Sequence, residues 1–347
     1  MDFRSDNVHG VSPQIIEAIA AANHGSASSY GADDMTSRLE KRFGELFEKE
    51  VAVFPVVTGT AANALSISAI TPPYGAIFCH ADAHSNTDEC GAPEMYTGGA
   101  KLFALPAPGG KISAKMIEET VAEFIRGVHG SKPSTITITQ ASELGTVYTV
   151  DEISALGACA KANGLRLHMD GARFANGLMS LNCSPAEMTW KAGVDVLSFG
   201  ATKNGALAAE AVIFLNLDLA EDFGYRRMKA GHLISKSRFL ACQLEAYLAD
   251  DLWLRNARHA NAMAAQLAGV LEALPGVRIP TPVEANEVFP IVPRALAEAL
   301  NDAGALYYEW NADDSLDSNE VMLRLVTSFA TRDEDVAKFK KTCEACI

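Results

Sequence analysis

The sequence predicts an α/β protein: a large domain on a mainly parallel, seven-stranded-type sheet wrapped by helices, then a smaller α+β C-terminal domain. Three observations carry this. Short β-rich apolar runs recur at 51–57, 76–79, 101–105, 135–139, 165–169, 194–199 and 211–215,. Helical patterns fall between most of them, as parallel strands with crossovers require. The length of 347 residues suggests two domains at ~150 residues each, which we divide as 1–251 (with an N-terminal arm) and 252–347.

In chain order, residues 1–10 read as an extended polar arm in which Arg4, Ser5, Asp6 and Asn7 crowd together. Ser12-Pro13 reads as an N-cap followed by Pro at the first helical position, opening a helix to about residue 22,. Residues 36–48 return to helix, with Leu39, Phe43, Leu46 and Phe47 on one face,. After the run at 51–57, Thr58-Gly59-Thr60 opens an Ala/Leu/Ile-rich helix over 61–70. A strand, a small-residue turn and a helix form a geometry that holds phosphate on free N–H groups; at a helix start the same triplet also reads as a plain N-cap. It is neither a P-loop nor a GxGxxG, so ATP and NAD lose support.

The run at 76–79 ends at His80-Ala81-Asp82-Ala83-His84, and Asp88 and Glu89 follow on an expected helix. One turn separates His84 from Asp88, so both can face one cavity, as a metal-free polar pair or as part of a metal site. Helices are expected at 113–125 and 151–163. Beyond 211–215 the pattern is helical over 232–248 and 253–274, stopped by Pro275-Gly276,. The small domain is expected to hold strands at 277–279, 288–291 and 321–327 and a helix at 293–303. Its last helix takes Thr331 as N-cap, with Asp333 and Glu334 in the first turn,.

Composition narrows the function. Apolar residues make up 48% of the chain and charged ones 21%, ordinary values for a globular protein. A formal charge of −14 argues against nucleic-acid or anionic-membrane partners, and an anionic ligand then needs a local pocket of cations. No apolar run approaches the ~20 residues of a membrane span, and the start lacks signal-peptide features. The seven cysteines are scattered. Cys343 and Cys346 form one CxxC with no second pair, which gives zinc little support and makes a reduced cytoplasm the simplest setting.

Ligands of parallel sheets sit beyond the carboxyl ends of the strands, and two of those ends are informative. Asp170, in Asp170-Gly171-Ala172-Arg173, closes a buried strand and needs a cationic partner there, either Arg173 or a pyridinium N–H of a cofactor,. Lys203 follows Val194–Phe199 in a stretch of small residues that leaves room for a bulky group; an ordinary surface lysine is the plain alternative,. Together Thr58, Gly59, Thr60, Asp170 and Lys203 make the pieces of a pyridoxal 5′-phosphate (PLP) site: phosphate cradle, ring-nitrogen acid and Schiff-base lysine.

These residues fall in a known pattern. The chain resembles the low-specificity L-threonine aldolases, of the phenylserine-aldolase-like subgroup, within the fold-type-I (aspartate-aminotransferase-like) PLP enzymes. The resemblance runs from Arg4-Ser5-Asp6 through Tyr30-Gly31, Thr58-Gly59-Thr60-Ala61-Ala62-Asn63, the His84 segment, Asp170-Gly171-Ala172-Arg173 and Ser198-Phe199-Gly200-Ala201-Thr202-Lys203 to Arg324-Leu325-Val326-Thr327-Ser328. It implies that Lys203 holds PLP, Asp170 keeps the ring nitrogen protonated and His84 stacks on the ring. Gly59 and Thr60 would take the phosphate, helped by Arg238 of the same or a neighbouring subunit. Ser5, Arg173 and Arg324 would hold the substrate carboxylate, for which arginine's planar fork is suited.

Two departures stand out. Many members carry an Asn-Thr-His-Asn-type run where this chain has Ala141-Ser142-Glu143-Leu144-Gly145-Thr146; the missing histidine is replaced by His129, or His129 is a solvent-facing loop residue. Thr58 stands where Ser is usual. The implied reaction is retro-aldol cleavage of L-threonine, L-allo-threonine and related β-hydroxy-α-amino acids to glycine and an aldehyde. The base is His84 or His129, oriented by Asp88, or else a stacked His84 only shapes the pocket; a homo-oligomer (a dimer of dimers) is implied. A PLP β-eliminating lyase, an amino-acid racemase and a non-catalytic scaffold are the competing readings.

Overall fold

Seven strands, β1 (Ala52–Val56), β2 (Gly75–His80), β3 (Lys101–Leu105), β4 (Lys132–Thr139), β5 (Arg166–Gly171), β6 (Val196–Gly200) and β7 (Glu210–Phe214), form one sheet in the order β1-β7-β6-β5-β4-β2-β3. The computed structural model describes residues 1–124, 127–310 and 316–345. Strands β2 to β6 pair parallel, whereas β7 runs antiparallel to both of its neighbours. The reason is the connection: residues 201–209 between β6 and β7 are too few for a parallel crossover, which takes a dozen or more. That short return is the stretch holding Lys203.

Strands β5, β6 and β7 are covered on both faces, and every residue of β6 and β7 is buried, so they read as continuous apolar runs rather than alternating ones. The Gly59–Ile70 helix is buried along nearly its whole length, from Ala61 to Ser68 and at Ile70. It lacks a polar face because it lies inside the molecule. Phe199 of β6 anchors an aromatic cluster, with ring centroids 5.1 Å from Phe43, 5.7 Å from Phe174 and 5.8 Å from Trp253. Such ring contacts add about 0.5–1.5 kcal/mol each beyond burial and fix the strand end from which Lys203 projects.

The second sheet is antiparallel: β8 (Glu287–Val288), β9 (Ile291–Pro293) and β10 (Tyr308–Trp310) all pair with β11 (Glu320–Val326). The Leu252–Glu272 helix begins where the second domain was expected but runs through both cores. Its Trp253 and Ala257 lie in the first, and its Met263, Leu267 and Leu271 in the second. The N-terminal arm, assigned to the large domain, also adds Phe3 to the second core.

Several expected elements are shorter or divided. The helix expected from 232 starts only at Arg238, because the Ser235 carbonyl accepts the Tyr30 N–H from a distant segment. The strand expected at 288–291 splits at Phe289-Pro290, where Pro290 has no N–H to give the ladder,. At 277–279 there is one bridge, Arg278 to Ile291. Strand β10 has no sequence expectation behind it. Thr331 is not the last N-cap: that position is Arg332, and the Thr331 hydroxyl accepts the Ser328 N–H at 2.9 Å. The helix expected at 113–125 is Ala114–Ala122; Ile125 and Cys346 lie outside the described residues. Among the described residues no helix is long and apolar enough to cross a membrane.

Candidate active site

Five strands of the large sheet deliver polar residues to one cavity of about 540 Å³ at their carboxyl-end side: β1 leads to Thr58 and Gly59, β2 to His84, β4 to Glu143, β5 to Asp170 and β6 to Lys203. Glycine brings β5 and β6 together there. A Cβ on Gly200 would stand 2.7 Å from Ala172 Cα, so a side chain at 200 would push the two strand ends apart. Lys203 sits in a single 3-10 turn, Thr202–Asn204. Asn204 fixes that turn by donating to Tyr247 Oη at 2.7 Å and to the Trp253 carbonyl at 2.8 Å.

Lys203 itself lines the cavity and makes no hydrogen bond or ion pair among the described residues. Asp170 is buried, accepting from Asn63 Nδ2 at 2.7 Å and from the Ala172 N–H at 2.9 Å. Thr58 caps the Gly59–Ile70 helix by accepting the Ala61 N–H. The N–H groups of Gly59 and Thr60, in the helix's first turn, have no intrahelical acceptor. A Cβ built on Gly59 meets nothing within 4 Å, so the cradle is open. These residues fit PLP: a free amine for its aldehyde, a buried acid for its ring nitrogen and an N-terminal cradle for its phosphate.

His84 lines the same cavity, but the orienting acid is Glu89 and not Asp88. His84 Nδ1 is 2.9 Å from Glu89 Oε1. The helix expected to carry Asp88 ends at Thr87, so Asp88 faces the cavity mouth while Glu89 turns inward and is buried. The bond to Glu89 raises the His84 pKa against the opposing cost of burial. Asn63 Nδ2 donates to Glu89 as well as to Asp170, at 2.9 and 2.7 Å, so one amide joins the histidine's acid to Asp170. Nothing in local sequence pairs Asn63 with either; the hint was a single amide in an otherwise small and apolar helix.

Ser5, Arg173 and Arg324 also line the cavity. Both arginines are already engaged, Arg173 with Asp6 and Glu287 and Arg324 with Glu287. Two expected site residues are corrected for a single chain. His129 is exposed in the 3-10 turn Gly127–His129 and is not part of the cavity wall. Arg238 opens its own helix, donates to the Gly25 carbonyl at 3.2 Å and covers the Phe239 ring, away from Gly59 and Thr60.

Glu143 and Glu210 are cavity residues that the sequence reading left without a role. Burial pushes both carboxyls up to about 7. Glu143 Oε1 accepts the His84 N–H and the Thr139 hydroxyl, each at 2.8 Å, and its Oε2 is sealed from solvent without a partner. The folded pKa lies above the unfolded one, so this group's contribution to stability is complete below about pH 4.5. It is lost as pH rises through about 7,. Glu143→Gln is therefore expected to raise the Tm of the holoenzyme at pH 8 by a few degrees relative to wild type, and by much less at pH 5. An equal Tm difference at both pH values in scanning calorimetry would contradict this.

Comparison with known proteins agrees with the geometry. The beta-eliminating lyase family model matches residues 2–295. A low specificity L-threonine aldolase of a Pseudomonas species is 47% identical over 306 residues, 88% of each chain. The Leishmania major threonine aldolase structure superposes with a TM-score of 0.93 at 30% identity, covering 99% of this chain and 98% of that one. A Rhodobacter sphaeroides aspartate aminotransferase, at 16% identity and a TM-score of 0.70 over 99% of this chain and 91% of that one, shares the fold. With its lysine, its buried acid and its open helix cradle in one cavity, the chain belongs to the beta-eliminating lyase family, among the low-specificity L-threonine aldolases.

Proposed function

We propose that this chain cleaves L-threonine and related β-hydroxy-α-amino acids to glycine and an aldehyde in a PLP-dependent retro-aldol reaction. The observation that carries the reading is the unpartnered amine of Lys203, in one cavity with Asp170 and the open first turn of the Gly59–Ile70 helix. PLP, when bound, supplies an electron sink for bonds at the substrate Cα. Lys203 holds it, Gly59 and Thr60 take its phosphate, and Asp170 keeps its ring nitrogen protonated. Ser5 and Arg324, backed by Arg173, orient the substrate carboxylate and with it the Cα–Cβ bond to be broken. His84 Nδ1–H donates to Glu89, which leaves Nε2 to remove the β-hydroxyl proton. Incubation with L-threonine is expected to give glycine and acetaldehyde in equal amounts; ammonia in place of the aldehyde would reject the reaction.

A cytoplasmic homo-oligomer, a dimer of dimers, completes the reading. Cys79, Cys90, Cys159, Cys183 and Cys242 are free thiols, as a reducing compartment permits,. Arg238, turned away from its own cavity, would serve the phosphate of a neighbouring copy. A sedimenting monomer that retains full activity would end this part.

A further inference from the structure

Four charged side chains, from the N-terminal arm, β8, β11 and the turn after β5, meet at the cavity wall. Arg173 Nε and Nη2 donate to Asp6 at 2.8 and 3.2 Å, and its Nη1 stands 3.2 Å from Glu287 Oε2. Arg324 Nη2 donates to the other oxygen of Glu287 at 2.7 Å. Asp6 and Glu287 are only 4% and 1% exposed. Neither acid is placed to leave. Asp6 also accepts from Asn286 Nδ2, and its arm is pinned where the Phe3 N–H bonds Leu306 and the Phe3 carbonyl takes the Val326 N–H. Glu287 lies in β8 against Gly145, where an added Cβ would come within 3.1 Å of it. Burial opposes charge on Asp6 and Arg173, but their mutual attraction prevails: the Asp6 pKa is lowered and that of Arg173 raised.

Two cations and two anions sum to zero before any substrate arrives. One donor is left over: Arg324 Nε is buried without a partner, and the guanidinium lies over the Trp310 ring, 5.5 Å from its centroid. We propose that Asp6 and Glu287 set substrate affinity as internal competitors for the two arginines, so that the substrate carboxylate binds as a third anion, on Arg324 Nε and the Ser5 hydroxyl. This rests on the reading that the arginine pair seats that carboxylate. The acids are positioning residues: they hold both guanidinium planes in place and keep amino-acid binding weak. Glu287 Oε1 stands 2.7 Å from Arg324 Nη2, and removing one such buried negative charge beside the seat strengthens anion binding by about tenfold or more at an effective dielectric near 20.

The probe is 3-hydroxybutyrate, which has the carboxylate and the β-hydroxyl but no amine to react with PLP. Titrated into holoenzyme and followed by intrinsic tryptophan fluorescence, to which Trp310 contributes, it is expected to bind about tenfold tighter to Glu287→Gln and to Asp6→Asn than to wild type. With L-threonine, both variants should show a lower KM together with a lower kcat, a split that simple loss of structure does not produce. Unchanged or weaker binding, with the visible PLP band retained, would overturn the proposal. Loss of one buried partner can prevent folding; either variant alone then decides. Arg324→Ala separates the two layers. If it leaves 3-hydroxybutyrate binding intact, the carboxylate seat itself is wrong; if it abolishes binding while neither acid variant tightens it, only the competition idea fails.

Discussion

Lys203→Ala protein is expected to be colourless in the visible range and inactive toward L-threonine, with kcat reduced by about 10³-fold or more. The lysine is the only amine lining the cavity among the described residues, and its turn is fixed by Asn204 through Tyr247 and the Trp253 carbonyl, so no neighbour can move in to replace it. The fold should survive the change, because Lys203 makes no hydrogen bond or ion pair among the described residues, and unchanged far-ultraviolet dichroism would check this. A purified variant that keeps the band would place the Schiff base elsewhere and dissolve the whole assignment.

Asp170→Asn is expected to keep the cofactor bound through Lys203 but to lower kcat by about 10²–10³-fold, the scale on which a single preorganised electrostatic partner matters. Asparagine has nearly the same size, and its single Oδ1 can keep one of the two bonds that Asp170 accepts, that from the Ala172 N–H, while its Nδ2 faces Asn63 as a second donor,; unchanged far-ultraviolet dichroism would check that the fold survives. The change removes the negative charge proposed to face the ring nitrogen, and with it the electron demand of the ring. The measurement is kcat with the enzyme saturated in PLP. A fall of less than tenfold would mean that the ring nitrogen is answered by another group.

The parts of the site readable in advance share one property: each is defined by a few consecutive residues at a strand's end. Asp170 lies near the end of β5, Lys203 follows β6 and Thr58 follows β1, and a buried strand leading into small or polar residues marks such places in any parallel sheet. The parts not readable are contacts between segments far apart. Arg173 was expected to offer its fork to a ligand, yet that fork is held by Asp6, 167 residues earlier. Glu89 displaced Asp88 because the four-residue helix at His84–Thr87 ends one residue too early to carry the expected i,i+4 face. Strand β10 escaped notice because it is three residues long and largely exposed, with no apolar period to reveal it.

The sequence alone determined the α/β class, the order of the large-sheet strands along the chain and which lysine, acid and small-residue turn stand at the strand ends, because hydrophobic periodicity and strand-end chemistry are local. Tertiary structure alone decided which acid serves His84, that Asn63 links it to Asp170, and that both arginines reach the cavity with acids already attached. Charge pairing in a low-dielectric interior depends on distances of a few ångströms between residues far apart in the chain, and only the folded chain sets those distances.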